Sequence, residues 1–145
     1  MLSADTNIFV YAADPDSPRH EAARAFLLNC REDFAVCQLV LVELYMLLRN
    51  PVVFKRPYSA SEAAGYCNAL AESPHWKCLD YEPPVVQHLW AWASHTAKGY
   101  RGIIDARLAL TLRHHGVTRF ATFNTRDFQG FGFIEVWDPL TPIFG

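Results

Sequence analysis

Two rhythms of apolar residues alternate along this chain. Short stretches at residues 2–4, 34–37, 77–80, 119–122 and 134–137 read as strands, each closed by polar or proline-containing turns. Between them the apolar positions recur at helical spacing. A short helix follows the first strand over residues 8–13. Ser17 as N-cap and Pro18 as first helical residue start a second, which runs to Asn29. The segment 38–49 predicts the most hydrophobic helix, with Glu43 as its only charge before Arg49. Ser59 and Glu62 form a capping box that opens a helix to about Glu72. Pro83 and Pro84 start another, ending near Lys98 and Gly99, and a last one spans 103–115 before Gly116 stops it. Strands alternating with helices predict an α/β fold with a parallel sheet of about five strands and helices on both faces. No repeat, linker or low-complexity tract interrupts the pattern, so residues 1–145 are expected to form one domain.

Composition narrows the class. The chain is 51% hydrophobic and 14% aromatic, which excludes disorder. No apolar run is long enough to cross a bilayer. The first residues include Asp5 and lack the basic stretch of a signal peptide, so the expected location is the cytoplasm, without membrane contact. Cys30, Cys37, Cys67 and Cys78 show no metal-ligand spacing and read as free thiols. His114 and His115 lie at a helix end, where a cation suits the dipole. A net charge of −2 argues against bulk electrostatic binding of nucleic acid, and leaves room for a local basic patch.

Four acids stand where polarity is out of place: Asp5 after the first strand, Glu43 inside the apolar helix, Asp105 in the first turns of its helix, and Asp127 in the loop after the fourth strand. Each has an ordinary explanation: an N-cap for Asp5, a buried ion pair with Arg107 for Glu43, a helix-dipole acid for Asp105 and a turn former for Asp127. Glu43 is the most informative, because a lone carboxylate in such surroundings costs several kcal/mol unless paired or metal-bound. In an open parallel sheet the strand ends face the ligand crevice, so together the acids point to one shared site. Crowded carboxylates without His or Cys suit Mg²⁺ or Mn²⁺, and such a site suits phosphodiester hydrolysis.

With these residues in view, the chain resembles the PIN-domain ribonucleases, specifically the VapC toxin branch of VapBC toxin–antitoxin systems. The likeness runs through Asp5-Thr-Asn-Ile-Phe-Val-Tyr11, Gln38-Leu-Val-Leu-Val-Glu-Leu-Tyr45, Leu48-Arg-Asn-Pro51, Ile104-Asp-Ala-Arg-Leu-Ala109, His115-Gly116 and Thr122-Phe-Asn-Thr-Arg-Asp-Phe128. It implies a PIN fold with sheet order 3-2-1-4-5 and endoribonuclease activity dependent on one or two Mg²⁺ or Mn²⁺ ions. Carried over by position, Asp5, Glu43 and Asp105 are the core acids and Asp127 the fourth. Thr6 and Asn7 orient Asp5 or water, and Thr122 and Asn124 line the pocket. Many relatives carry an acid at the position of Asn124, and Cys37 stands where Ser or Thr is common. The implied partners are RNA, a VapB-like antitoxin covering the acids, and a second copy of the chain, with the helices on the Tyr45–Tyr66 side forming a groove.

Lys98, Arg101, Arg107, Arg119 and Arg126 cluster in sequence around Asp105 and Asp127 and are candidates for phosphate contacts, Lys98, Arg101 and Arg107 above all. The aromatics Trp76, Trp90, Trp92, Phe128, Phe131 and Phe133 read mostly as core. A phosphorylated receiver domain would want an acidic pair after the first strand and a Lys after the fifth, and Asp-x-Asp phosphatases an acid at position 7; this chain has neither. DNA and flap nucleases of similar fold need added elements for which there is no room. The alternative that remains is a degenerate, non-catalytic PIN module that binds RNA or a protein partner.

Overall fold

Two strands, β1 (Leu2–Ala4) and β2 (Phe34–Cys37), are buried along their whole length, as expected for strands covered on both faces. The computed structural model describes residues 1–141, so Pro142 lies outside the described residues. β3 (Trp76–Leu79), β4 (Arg119–Ala121) and β5 (Glu135–Trp137) complete a five-stranded, all-parallel sheet of order β3-β2-β1-β4-β5. The outer strands are short, and β3 leaves Lys77 and Cys78 exposed, which blunts that edge against further pairing.

Six helices connect the strands. α1 (Thr6–Ala13) and α2 (His20–Asn29) lead from β1 to β2, α3 (Gln38–Leu48) and α4 (Ala60–Ala71) from β2 to β3, and α5 (Pro83–His95) and α6 (Gly102–His114) from β3 across to β4. The chain steps outward from β1 to β3 and then returns past β1 to β4. Right-handed crossovers therefore put α1–α4 on one face and α5–α6 on the other. Ile8, Phe9, Val40, Leu44, Leu108, Leu112 and Phe120 fill the core between these layers. Ser3, in the middle of β1, is fully buried, and its hydroxyl donates to the Ala35 carbonyl at 2.7 Å.

The element boundaries depart from expectation in instructive places. α2 begins at His20 rather than Pro18, because the Ser17 Oγ accepts the Arg19 N–H and holds the preceding residues in a turn. α5 ends at His95 rather than near Lys98. Thr96 is extended, and its hydroxyl accepts the Lys98 N–H at 3.1 Å. The expected Gly116 stop of α6 is present. Gly116 takes φ 87°, the Gly116 N–H bonds the Arg113 carbonyl and the Val117 N–H bonds that of Leu112, the two bonds of a Schellman ending. The loop after β4 contains a short 3-10 turn, Thr125–Phe128.

Candidate active site

β1 is central, and the connections leave it in opposite directions through β2 and β4. The crevice at its carboxyl end is therefore the switch point of the sheet. Asp5 sits there. Its N–H bonds the Ala121 carbonyl of β4 at 2.9 Å, which joins the strand ends. The side chain caps α1: Oδ1 accepts the Thr6 N–H at 2.8 Å. Oδ2 accepts the Thr122 hydroxyl at 2.8 Å and a long contact from Asn7 Nδ2 at 3.5 Å. Thr122 is itself fully buried, and its Oγ1 accepts the Asn124 N–H at 3.0 Å, which turns the hydroxyl proton toward Asp5. Asn7 Oδ1 accepts the Phe123 N–H at 3.3 Å, so α1 and the loop after β4 clasp each other around the carboxylate.

The other acids surround Asp5. Burial pushes the Asp5 carboxyl up, the Thr122 and Thr6 bonds pull it down, and the Asp127 charge adds to the rise. Glu43, on α3, accepts the Thr6 hydroxyl at 3.4 Å and is raised by burial, then by the charges of Asp5 and Asp105. Asp105, in the first turn of α6, is pushed up to about 6 by burial and by Asp5 and Asp127, with Lys98 pulling the other way. Thus every pair within the Asp5–Glu43–Asp105 triad repels. The ordinary explanation of Glu43 as half of an ion pair with Arg107 fails, since Arg107 lies 4.1 Å over the Tyr81 ring and its buried Nε has no hydrogen-bond partner among the described residues.

Residues 4–134 match the PIN-domain family. Ribonuclease VapC24 of Mycobacterium tuberculosis, from strain CDC 1551 / Oshkosh and from strain ATCC 25618 / H37Rv, is 52% identical over 143 residues, which are 97% of this chain and 98% of the relative. The chain belongs to the PIN-domain family, among the VapC ribonucleases. Solved structures share the fold at lower identity. Mycobacterium tuberculosis VapC20, described as a toxin that cleaves the sarcin-ricin loop, superposes with a TM-score of 0.74 at 19% identity, over 92% of this chain and 97% of its own. FitAcB from Neisseria gonorrhoeae gives 0.66 at 20% identity, over 96% and 98% of the two chains.

PIN-domain enzymes imply a divalent cation, and the chemistry of the donors here fits one. They are all carboxylate oxygens; Asp5 and Asp105 raise Glu43, and Asp5 and Asp127 raise Asp105 with Lys98 opposing. Among the described residues, no three acidic, imidazole or thiol groups are already close enough to enclose an ion. Asp127 is exposed within its 3-10 turn, so the fourth acid stands outside the buried part of the cluster.

An open cleft of ≈ 430 Å³ borders two of the acids, walled by Lys98, Tyr100, Arg101, Asp105 and Asp127, with Gly99 and Gly102 between. Lys98 and Arg101 therefore share a cleft with Asp105 and Asp127. The Lys98 ammonium bonds the Asp127 carbonyl and faces the Phe131 ring at 5.1 Å. Arg107 does not line the cleft, and Arg119 is held by Glu32 and Glu135 at the opposite ends of the strands. Of the aromatics expected in the core, Phe128 is buried, while Trp90 is 62% exposed on α5. Tyr100 was the cleft residue that pattern reading passed over. Its signal was an aromatic between Gly99 and Gly102, beside Arg101, where the chain turns into the Asp105 helix.

Proposed function

We propose that this chain is the toxin of a toxin–antitoxin pair, an endoribonuclease dependent on Mg²⁺ or Mn²⁺ that hydrolyses RNA phosphodiester bonds. The observation that carries the proposal is the buried Asp5 at the β1/β4 switch point, near enough for its charge to raise both Glu43 and Asp105. Asp5, Glu43 and Asp105 would hold one or two ions, with Asp127 as the fourth carboxylate. When bound, the cation supplies positive charge and Lewis acidity to the phosphodiester and to the attacking water.

The protein's own part is orientation. The Thr6 N–H on Oδ1 and the Thr122 hydroxyl on Oδ2, with the longer Asn7 contact beside it, prevent the Asp5 carboxylate from swinging. Thr6 links Asp5 to Glu43, with its N–H on one and its hydroxyl on the other. Thr122, ordered by Asn124, and Asn7 complete the frame. Arg101 at the rim and Lys98 beside Asp127 would steer the phosphates of the strand. In-line attack by water then gives 5′-phosphate and 3′-hydroxyl ends.

The ribonuclease name of the 52%-identical relative supports RNA as the substrate class. A VapB-like antitoxin and a second copy of the chain are the proposed protein partners. The surface that suits them is the α3–α4 groove of ≈ 330 Å³, bordered by Leu41, Val42, Tyr45 and Cys67. Among the described residues no helix is long and apolar enough to cross a membrane, and the cytoplasm is the proposed compartment.

The deciding experiment incubates purified protein and its Asp5→Asn variant with a total-RNA pool in Mg²⁺, Mn²⁺ or EDTA. Discrete fragments that require both metal and Asp5 are expected, with the variant melting at or above the wild-type temperature. Equal cleavage by Asp5→Asn would sink the scheme. Binding of RNA without cleavage in any metal would favour a non-catalytic module.

A further inference from the structure

Large apolar side chains left in solvent are common and usually mean nothing singly. Tyr100 is different in its position. The residue is 83% exposed, and it stands on the wall of the cleft shared by Asp105, Asp127, Lys98 and Arg101. The loop that carries it is braced. The Gly102 N–H bonds the Gly99 carbonyl at 3.0 Å, closing a turn with Tyr100 near its tip, and the Ile104 N–H bonds the Arg101 carbonyl at 3.2 Å. Lys98 ties the same loop to the Asp127 carbonyl. Gly102 permits the close approach, since a Cβ there would meet the Lys98 Cβ at 3.0 Å. A fixed backbone thus holds an aromatic face in water.

A second exposed ring offers a contrast. Phe123, in the loop after β4, is 43% exposed, but Arg19 covers it at 4.4 Å and Tyr11 packs against it edge to face at 6.4 Å. Tyr100 has the Arg101 guanidinium 5.5 Å from its centroid, and most of the ring stays free. An open aromatic face between cations, next to acids proposed to act on a phosphodiester, has the elements of a single-strand nucleic-acid groove: charge for the backbone and a ring for a base.

We propose that Tyr100 is a nucleobase-stacking platform that takes one unpaired base of an RNA strand whose phosphates lie in the cleft. The proposal rests on the ribonuclease reading and adds to it a residue that contacts a base rather than a phosphate. A base stacked on Tyr100 is unpaired, so duplex RNA makes no use of this contact. Stacking needs only a π face, so this contact selects strandedness and not sequence.

The test uses fluorescence anisotropy with labelled RNA dodecamers in Mg²⁺, on an Asp5→Asn parent so that nothing is cleaved. The probes are oligo(U), oligo(A), an abasic ribose-phosphate chain and a duplex. Adding Tyr100→Ala should weaken oligo(U) and oligo(A) roughly 5- to 150-fold, the range found when base-stacking aromatics are cut to alanine. Tyr100→Phe should bind as the parent does. The abasic chain and the duplex should bind equally to the parent and to the Tyr100→Ala protein. Homopolymer affinity unchanged by Tyr100→Ala, or an equal loss on the abasic chain, would overturn the platform. If the native protein still cleaves the total-RNA pool, the ribonuclease reading survives that outcome. If the parent binds no RNA and the native protein cleaves none, both fall together.

Discussion

Replacing Asp105 with Asn removes a charge that the folded protein holds at a cost, and the structure sets both the sign and the size of the effect. Burial and the charges of Asp5 and Asp127 raise this carboxyl from 3.8 to about 6. Between those values the folded protein binds more protons here than the unfolded chain does. Stability therefore falls as pH rises from 3.8 through about 6, and the penalty is complete above that. The full difference corresponds to about 3 kcal/mol, and solvent screening of a half-buried group trims it to about 1–2 kcal/mol. Among the described residues this carboxyl accepts no hydrogen bond, so the amide forfeits little in exchange. In EDTA at pH 7.5, Asp105→Asn should raise Tm by roughly 2–8 °C, and near pH 4 the two proteins should melt together. Scanning calorimetry across that range provides the measurement. Saturating Mg²⁺ should then stabilise the wild type more than the variant, by about 2.7 kcal/mol if the ion is at a hundredfold its Kd. An equal gain at pH 4 and pH 7.5, or a variant less stable at pH 7.5, would refute the electrostatic argument.

Two further outcomes follow from the same frame. Thr122→Val leaves the Asn124 N–H without its partner and Asp5 Oδ2 with only the long Asn7 contact, so urea denaturation should show a loss of about 1–3 kcal/mol, with cleavage impaired as well. Thr122→Ser restores both bonds and should recover most of each; a serine as damaging as valine would show that the hydroxyl is not what matters. Reversing both Lys98 and Arg101 to Glu should flatten the log–log salt dependence of RNA affinity by at least about 1. Arg101→Glu alone should carry most of that change, because the Lys98 ammonium is already engaged with the Asp127 carbonyl; an unchanged slope would remove the patch from RNA binding.

Much of the architecture was legible because it depends on near neighbours. The β2 run, the Ser59–Glu62 capping box, the paired prolines opening α5 and the Gly116 stop all involve residues within a turn of each other. The α2 start was misplaced because Ser17 can accept an N–H either as a helix cap or within a turn, and local pattern favours neither. The sheet order came from the family likeness rather than from periodicity, which does not say which strands pair. Glu43 stood out for a physical reason: a carboxylate surrounded by leucines and valines announces a compensating interaction wherever the partner lies.

The sequence by itself determined which segments are strands and helices, and which acids needed company. Only the tertiary structure decided who that company is. It turned Arg107 away onto Tyr81, left Asp105 facing Asp5 and Asp127, and put the Thr122 hydroxyl, 117 residues along the chain, on Asp5. It also left Trp90 in solvent, although its sequence position reads as core, and set Tyr100 on the cleft wall. Periodicity records whether a side chain prefers to be covered. What covers it, or faces its charge, is fixed by strands and helices far apart in the chain, through contacts that leave no local pattern.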